Sequence, residues 1–164
     1  HIVEGFVGGV STYLCNVLVL LKEADFDVTL IYSPDRFDAG VPAKIERLKD
    51  RGVKILTVPM TRTINPLIDL YCLFVLAKIL LKERFDIVHT HCSKAGALGR
   101  IAAWFAGIRK VYHSSHCFAF LRCGNFLTKK IYLLAERLLA GFTTKFIAVS
   151  DSDADSAIAG SRYH

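Results

Sequence analysis

The stretch DIVHTHCSKAGALGRIAAWFAGIRKVYHS, residues 86–114, contains one complete unit of strand, helix and strand. The short segments Asp86–Thr90 and Arg109–Ser114 predict strands, and the longer segment Ala95–Ala106 between them predicts a helix. Gly107 is the expected stop of that helix. Because parallel neighbouring strands need a crossover connection, usually a helix, the stretch predicts a βαβ unit.

The same alternation continues on both sides of this unit. The strands are mostly continuous apolar runs, which is typical of strands buried on both faces of a sheet. We therefore predict an α/β fold, a Rossmann-like three-layer α/β/α domain with a mostly parallel sheet, as one domain over residues 1–164. The further predicted helices are about Val10–Glu23, Ala43–Gly52, about Pro66–Arg84, about Leu127–Leu139 and a short one within Asp151–Ala159; the further strands are His1–Glu4, Val28–Tyr32, Val53–Val58 and Lys145–Ser150.

Composition and charge limit the classes of protein that this chain can be. Of its 164 residues, 52% are hydrophobic and 22% are charged, which indicates a globular chain and excludes disorder. The longest apolar run, Leu67–Leu81, contains Asp69 and Lys78 and is shorter than the ~20 residues of a spanning helix. The net charge of +6 favours anionic partners, with solubility alone as the alternative.

Cysteine usage and the N-terminal residues bear on the cellular compartment. The five cysteines are an odd number without a CxxC pair, and the first residues lack the charged start and apolar run of a signal peptide. We therefore expect a reducing, cytoplasmic compartment.

The carboxyl ends of the strands are where a ligand is expected, because open parallel sheets bind ligands there, at the point where the strand order reverses. The loop Gly5–Gly9 follows the first strand and precedes a helix, so its backbone N–H groups suit a phosphate. It has neither the Walker spacing nor the GxGxxG spacing. Phosphate contact and a plain tight turn both remain open for this loop.

Four of the six histidines lie at two strand ends, as the pairs His89 with His91 and His113 with His116. We expect His91 to begin the loop after its strand. Zinc needs four tetrahedral ligands, which these histidines and the two neighbouring cysteines would supply, but the HxH and HxxH spacings match no usual structural zinc pattern. We therefore predict no metal. A ligand-binding cleft and hydrogen-bonded histidines without a ligand remain as alternatives.

Two polar residues stand at the start of the helix that follows the first histidine pair. Ser93 is predicted to be the N-cap of this helix. Lys94 lies where an anion bound at the helix start would meet a positive charge.

Three stretches carry a family resemblance when taken together: GGVSTYLCNVLVLLKEADFDVTLIY, FDIVHTHCSKAGALGRIAAWFAGIRKVYHSSHCFAF and ERLLAGFTTKFIAVSDSDAD. They resemble the N-terminal domain of a family-4 glycosyltransferase of the GT-B class, similar to members that build bacterial capsular or other surface polysaccharides. The resemblance implies a retaining sugar transfer, without a metal, from a nucleotide-sugar donor to a saccharide or lipid-linked acceptor. It also implies two Rossmann-like domains, of which the N-terminal one mainly binds the acceptor.

The resemblance implies roles for individual residues. Gly8 and Gly9 match the loop that approaches the donor diphosphate. His116 matches the histidine of the family's HGF segment and is the catalytic candidate, although Cys117 stands where the family has glycine. The implied acceptor-binding residues are His91, Ser93, Lys94 and Ser150.

The donor-binding half of the family has no counterpart in these 164 residues. We therefore expect an acceptor-binding domain that is inactive alone, because the groups that stabilise the leaving diphosphate would be missing.

Basic residues on two predicted helices are expected either to touch an anionic membrane at its inner face or to be simply solvated. They are Lys78, Lys82, Arg84, Lys129, Lys130 and Arg137.

Two other classes of function remain open, namely a non-enzymatic phosphate- or nucleotide-binding module and a zinc-binding structural domain. Nucleic-acid binding is not expected, because the aromatic residues lie within apolar runs and do not alternate with lysine or arginine on one face.

Overall fold

Strands and helices alternate along the whole described chain. The structure is a computed structural model, and it describes residues 1–35, 39–116 and 125–161. The strands of these residues are β1 (Ile2–Val3), β2 (Thr29–Tyr32), β3 (Lys54–Thr57), β4 (Ile87–His91), β5 (Lys110–Ser114) and β6 (Lys145–Phe146). The helices are α1 (Gly8–Glu23), α2 (Val41–Asp50), α3 (Pro66–Glu83), α4 (Ser93–Phe105), α5 (Phe126–Ala140) and α6 (Asp151–Ser161).

The described strands form one sheet in the order β3-β2-β1-β4-β5-β6, and every paired neighbour runs parallel. This confirms the predicted Rossmann-like α/β architecture. The strand order reverses between β1 and β4, because β2 and β3 continue on one side of β1 while β4 to β6 continue on the other. The ligand crevice of such a sheet lies beyond the carboxyl ends of these two strands.

Helices cover both faces of the sheet, and successive residues of β1 point into different cores. Val3 packs with Leu14 of α1 and Leu48 of α2 in one cluster. Ile2 packs with Leu76 of α3 and Ala102 of α4 in the other. This division follows from the alternation of side chains along a strand, and it produces a three-layer domain.

The turn from β4 into α4 differs from the sequence prediction. His91 is the last residue of β4, not the first of the loop. Ser93 is already the first residue of α4, whose N-cap is Cys92 with a φ of 63° and no side-chain capping bond. The prediction that Ser93 is the N-cap is therefore wrong. A backbone with positive φ at Cys92 turns the chain from strand to helix within one residue, so Cys92 takes the N-cap position and Ser93 already lies in the helix.

Two other segments bear on the predictions. The strand predicted over Lys145–Ser150 is paired only at Lys145–Phe146. Cys117, which stands where the family resemblance has glycine, lies outside the described residues.

Among the helices that the structure describes, none combines the length and the apolar content that crossing a bilayer requires.

Candidate functional site

The switch point brings the ends of β1, β4 and β5 together at one edge of the sheet. β1 leads into the start of α1, β4 ends at His91, and β5 ends just before His116. The same crevice is therefore bordered by the glycine loop, His91 and His116, as the sequence predicts for residues at carboxyl strand ends.

Gly8 and Gly9 form the open N-terminus of α1. Both residues are exposed, and Gly8 has a φ of 55°, a conformation that favours glycine. No described atom lies within 4 Å of a Cβ placed at either residue. Lys44 of α2 lies close by, because its Nζ donates to Ser11 Oγ at 2.6 Å and Ser11 donates to the carbonyl of Gly8 at 2.8 Å. The helix start thus lies beside a cation, and the N-terminus of a helix together with a nearby positive charge suits an anion.

His89 and His91 share one face of β4 because residues two apart in a strand point the same way. Their rings lie 4.2 Å apart. His1, from the neighbouring strand position, completes a cluster: its Nδ1 lies 3.0 Å from His91 Nε2, and its ring lies 5.0 Å from that of His89. His89 also bonds Ser114 Oγ through Nε2 at 3.0 Å.

His116 joins this cluster from the end of β5. Its Nε2 lies 3.0 Å from His91 Nδ1, and its backbone has a φ of 51°. Tyr13 of α1 packs edge-on against its ring at 5.2 Å. The positive φ turns the half-buried imidazole of His116 back over the strand ends, between α1 and β4.

The hydrogen bonds couple the tautomers of His1, His91 and His116. A neutral imidazole has one N–H, so His91 donates to one neighbour and accepts from the other. Burial lowers the pKa of His91 well below 6.5, and the nearby His89 and His116 lower it further. His91 therefore stays neutral at pH 7. The ring nitrogen of His91 that carries the proton decides whether His91 donates to His1 or to His116.

A carboxylate lies on the other side of His116. Asp153, in the first turn of α6, is buried and accepts from Ser115 Oγ at 3.3 Å. Burial lowers the pKa of His116, and the charge of Asp153 opposes that shift. Asp153 thereby makes proton uptake by His116 easier than its burial alone would allow.

His113 does not join the cluster, although the sequence pairs it with His116. It faces α4, where its Nδ1 lies 3.0 Å from Thr90 Oγ1 and 3.2 Å from the carbonyl oxygen of Thr90. A Cβ at Gly96 of α4 would fall 2.5 Å from its Cε1. His113 is therefore a buried histidine of the opposite core.

The remaining predicted residues lie at the rim. Lys94 Nζ pairs with Asp69 Oδ1 of α3 at 2.6 Å and also donates to the carbonyl of Thr63. Ser93 is half-buried in the first turn of α4. Ser150 is exposed and caps α6, since its Oγ accepts from the N–H of Asp153 at 3.2 Å.

Sequence reasoning missed four residues that the fold adds to the site: His1, Tyr13, Lys44 and Asp153. His1 and Lys44 come from elements far away in sequence, so no local spacing reveals them. Asp153 closely follows the last predicted strand, and this position at a carboxyl strand end was the sequence feature that placed it near the site.

Two concavities in the described residues lie elsewhere. Cavities of about 430 and 370 Å³ are lined by residues such as Arg109, Gly107 and Ile108, just before β5, at the amino ends of the strands. The candidate site lies at the opposite end of the sheet, at the carboxyl ends of its central strands.

The chain is similar to one protein family and to two known sequences. A model of Glycosyltransferase Family 4 matches residues 7–163. A UDP-Gal:alpha-D-GlcNAc-diphosphoundecaprenol alpha-1,3-galactosyltransferase of Escherichia coli is 35% identical over 153 residues, which cover 93% of this chain and 38% of the relative. An uncharacterized 41.2 kDa protein in the cps region of Klebsiella pneumoniae is 31% identical over 154 residues, covering 92% of this chain and 39% of that protein. The chain thus spans about two fifths of the length of these relatives.

Solved structures with a similar fold include MurG of Acinetobacter baumannii, with a TM-score of 0.62 at 15% identity over 91% of this chain and 40% of MurG. Another is a putative UDP-N-acetylglucosamine 2-epimerase of Listeria monocytogenes, with a TM-score of 0.67 at 12% identity over 96% of this chain and 41% of that one. At these identities the likeness concerns the fold alone.

Proposed function

The chain belongs to glycosyltransferase family 4, and from this premise we propose that it is the acceptor-binding domain of a retaining glycosyltransferase. The enzyme would transfer a hexose from a nucleotide-sugar donor to a lipid-linked saccharide during synthesis of a capsular or other surface polysaccharide. Family membership favours this enzymatic function over the non-enzymatic phosphate-binding module. A second domain, outside these 164 residues, would hold most of the donor.

The single observation that carries the proposal is the meeting of His116 and the open start of α1 at the switch point. Tyr13 of α1 touches His116, so the transferred sugar could lie beside the imidazole while its diphosphate approaches Gly8 and Gly9. Lys44 would add a positive charge beside that diphosphate. Backbone N–H groups and a cation aimed at a leaving diphosphate stabilise the charge that develops there.

His116 would act as the catalytic residue by hydrogen-bonding the sugar as its ring becomes oxocarbenium-like. His91 is fully buried and bonded to His116, so we assign it a positioning role and not direct contact with the acceptor. Ser93, Lys94 and Ser150 remain proposed contacts of the acceptor. Of these, Lys94 would have to break its ion pair with Asp69, or contact the acceptor while that ion pair stays intact.

The test is a sugar-transfer assay on the longer protein that contains this chain, with His116→Ala beside the unchanged protein. We expect kcat to fall about 10²-fold or more, the usual loss for one contact made in the transition state. Leu20→Ala, at an exposed position of α1, is the control that should keep full activity. Undiminished transfer by a folded His116→Ala protein would remove His116 from the mechanism.

Peripheral membrane contact is a further part of the proposed function. α5 exposes large apolar side chains at helical spacing, and Lys129, Lys130 and Arg137 are exposed on the same helix. α3 combines exposed apolar residues with exposed Lys78 and Lys82 in the same way. Exposed apolar residues flanked by cations suit an anionic bilayer, where a lipid-linked acceptor resides. The exposed apolar residues are Leu67, Leu70, Tyr71, Phe74 and Leu81 of α3, and Phe126, Leu127, Ile131, Leu134 and Leu138 of α5.

Sedimentation with vesicles of phosphatidylglycerol and phosphatidylcholine tests this contact. The double variant Leu127→Glu with Ile131→Glu should bind about tenfold less than the unchanged chain. Leu20→Glu, on the opposite side of the sheet, is the matched control. Equal binding by all three chains would contradict the proposal, and concentration-dependent self-association without vesicle binding would identify a second copy as the occupant.

A further inference from the structure

Three imidazoles from two neighbouring strands converge on the α1 side of the sheet. His1, His89 and His91 each offer a ring nitrogen, and these nitrogens lie within 4.8 Å of one another. His89 and His91 are buried, and His1 is half-buried. The cluster depends on ordinary sheet geometry and not on a flexible loop.

The pairing of β1 with β4 produces this convergence. Ile2 lies opposite Thr90 in the parallel register, so His1 lies beside His89. His89 and His91 point to the same face because they are two residues apart. The backbone of two hydrogen-bonded strands thus holds all three rings at one place.

We propose that His1, His89 and His91 bind a divalent transition metal of the Zn²⁺ class, with the fourth position open to water. Zinc bonds to histidine nitrogen at about 2.0–2.1 Å, which places tetrahedral ligand nitrogens about 3.4 Å apart. His1 Nδ1 and His91 Nε2 are already 3.0 Å apart. A small rotation of the half-buried His1 ring would admit the ion between them.

Partners of the second ring nitrogens support the assignment. His89 Nε2 is held by Ser114 Oγ, and His91 Nδ1 is held by His116 Nε2. Histidines that bind metals usually have their other nitrogen held in this way, which orients the ring and fixes its tautomer. Three neutral nitrogen ligands favour zinc, nickel or copper over magnesium and calcium, which prefer oxygen.

This proposal departs from the expectation of a chain without a metal. That expectation was based on the HxH and HxxH spacings within the two histidine pairs. The proposed third ligand, His1, is distant in sequence from both pairs. A metal on His91 Nε2 would also keep the proton on its Nδ1, which then donates to His116. An effect of that hydrogen bond on catalysis by His116 rests on the proposed function, but metal binding itself does not.

The test measures Zn²⁺ and Co²⁺ binding by the chain without an affinity tag. After dialysis against metal-free buffer, we expect about one equivalent of retained Zn²⁺, and Co²⁺ should give the visible absorption of a tetrahedral site. His89→Gln and His1→Gln should abolish both signals. Ser114→Ala should weaken affinity about 10–100-fold, the usual effect of losing a partner of a ligating histidine.

His113→Asn is the matched control, because His113 is a buried histidine on the opposite face of the sheet and should not change binding. Nitrogen NMR of the unchanged chain gives a measurement that does not depend on a variant folding. Zn²⁺ should shift the imidazole signals of His1, His89 and His91 directly and leave His113 unmoved. Absence of retained Zn²⁺, or equal retention by His1→Gln, would overturn the proposal whether or not sugar transfer is ever observed.

Discussion

His91 has the most constrained side chain of the site. Its solvent exposure is 0%, and both of its ring nitrogens are hydrogen-bonded, one to His1 and one to His116. A residue in this position cannot change its proton without changing its neighbours, because each hydrogen bond requires one proton. The protonation pattern of His116, the ring that faces the crevice, therefore depends on the fully buried His91.

Glycine at position 96 is required by the neighbouring His113. A Cβ there would lie 2.5 Å from His113 Cε1 and 3.3 Å from Arg100 Nη2. We predict that Gly96→Ala lowers the free energy of unfolding by about 1–3 kcal/mol, the usual cost of overpacking a core. Urea denaturation followed by circular dichroism measures this change.

Gly9→Ala is the comparison, since it has the same chemistry in a helix but no described atom within 4 Å of the new Cβ. Its stability should be unchanged or slightly higher, because alanine favours helix. Equal losses from the two substitutions would mean that the contact with His113 does not cause the cost.

At the scale of elements, α4 and α5 are joined by a buried ion pair. Arg100 Nη2 lies 3.2 and 3.0 Å from the two carboxylate oxygens of Glu136, and Arg100 Nε donates to the carbonyl of Gly96 at 2.8 Å. Arg100 has an exposure of 0% and Glu136 of 6%. Such a pair joins the two helices directly, although the net contribution of a buried ion pair to stability is often small.

Removal of one partner should be more costly than removal of both. We predict that Arg100→Met lowers the free energy of unfolding by about 3–5 kcal/mol, because it leaves the carboxylate of Glu136 buried without its partner. The double variant Arg100→Met with Glu136→Leu should recover much of that loss. A double-mutant cycle in urea checks this, and a double variant that loses the sum of both single effects would contradict it.

At the scale of the whole molecule, buried histidines make the fold sensitive to acid. Burial lowers the pKa of His113 well below 6.5, with a further contribution from Arg100, and burial lowers that of His89 to about 3. The unfolded chain therefore binds protons that the folded chain does not. Stability is fully present above the unfolded pKa near 6.5, and it falls as pH drops below that value.

Each such histidine should remove about 1 kcal/mol of stability between about pH 7.5 and pH 5.5. His113→Asn should reduce the stability difference between those two pH values by about this amount, whatever its effect at pH 7.5. Urea denaturation at both pH values, with a chelator present, measures the difference. An unchanged pH dependence in this variant would show that folding does not lower the pKa of His113.

Much of the architecture could be predicted from the chain itself, because alternating apolar runs and helical periodicity are local properties. The segment 86–114 predicted its strand, helix and strand to within about two residues at each boundary. The start of α4 was placed wrongly because the positive φ of Cys92 lets the helix begin directly after the strand. No apolar period records such a turn.

The sequence by itself determined the parallel α/β fold, the family, and the strand ends at which His91 and His116 lie, since side-chain period and chain order specify these. Only the tertiary structure decided which residues share the site. It placed His1 beside His89 through the register of β1 with β4, and it separated His113 from His116 on opposite faces of the sheet. The physical reason is that strand pairing and side-chain alternation set contacts between residues about ninety positions apart, and no spacing within either strand encodes them.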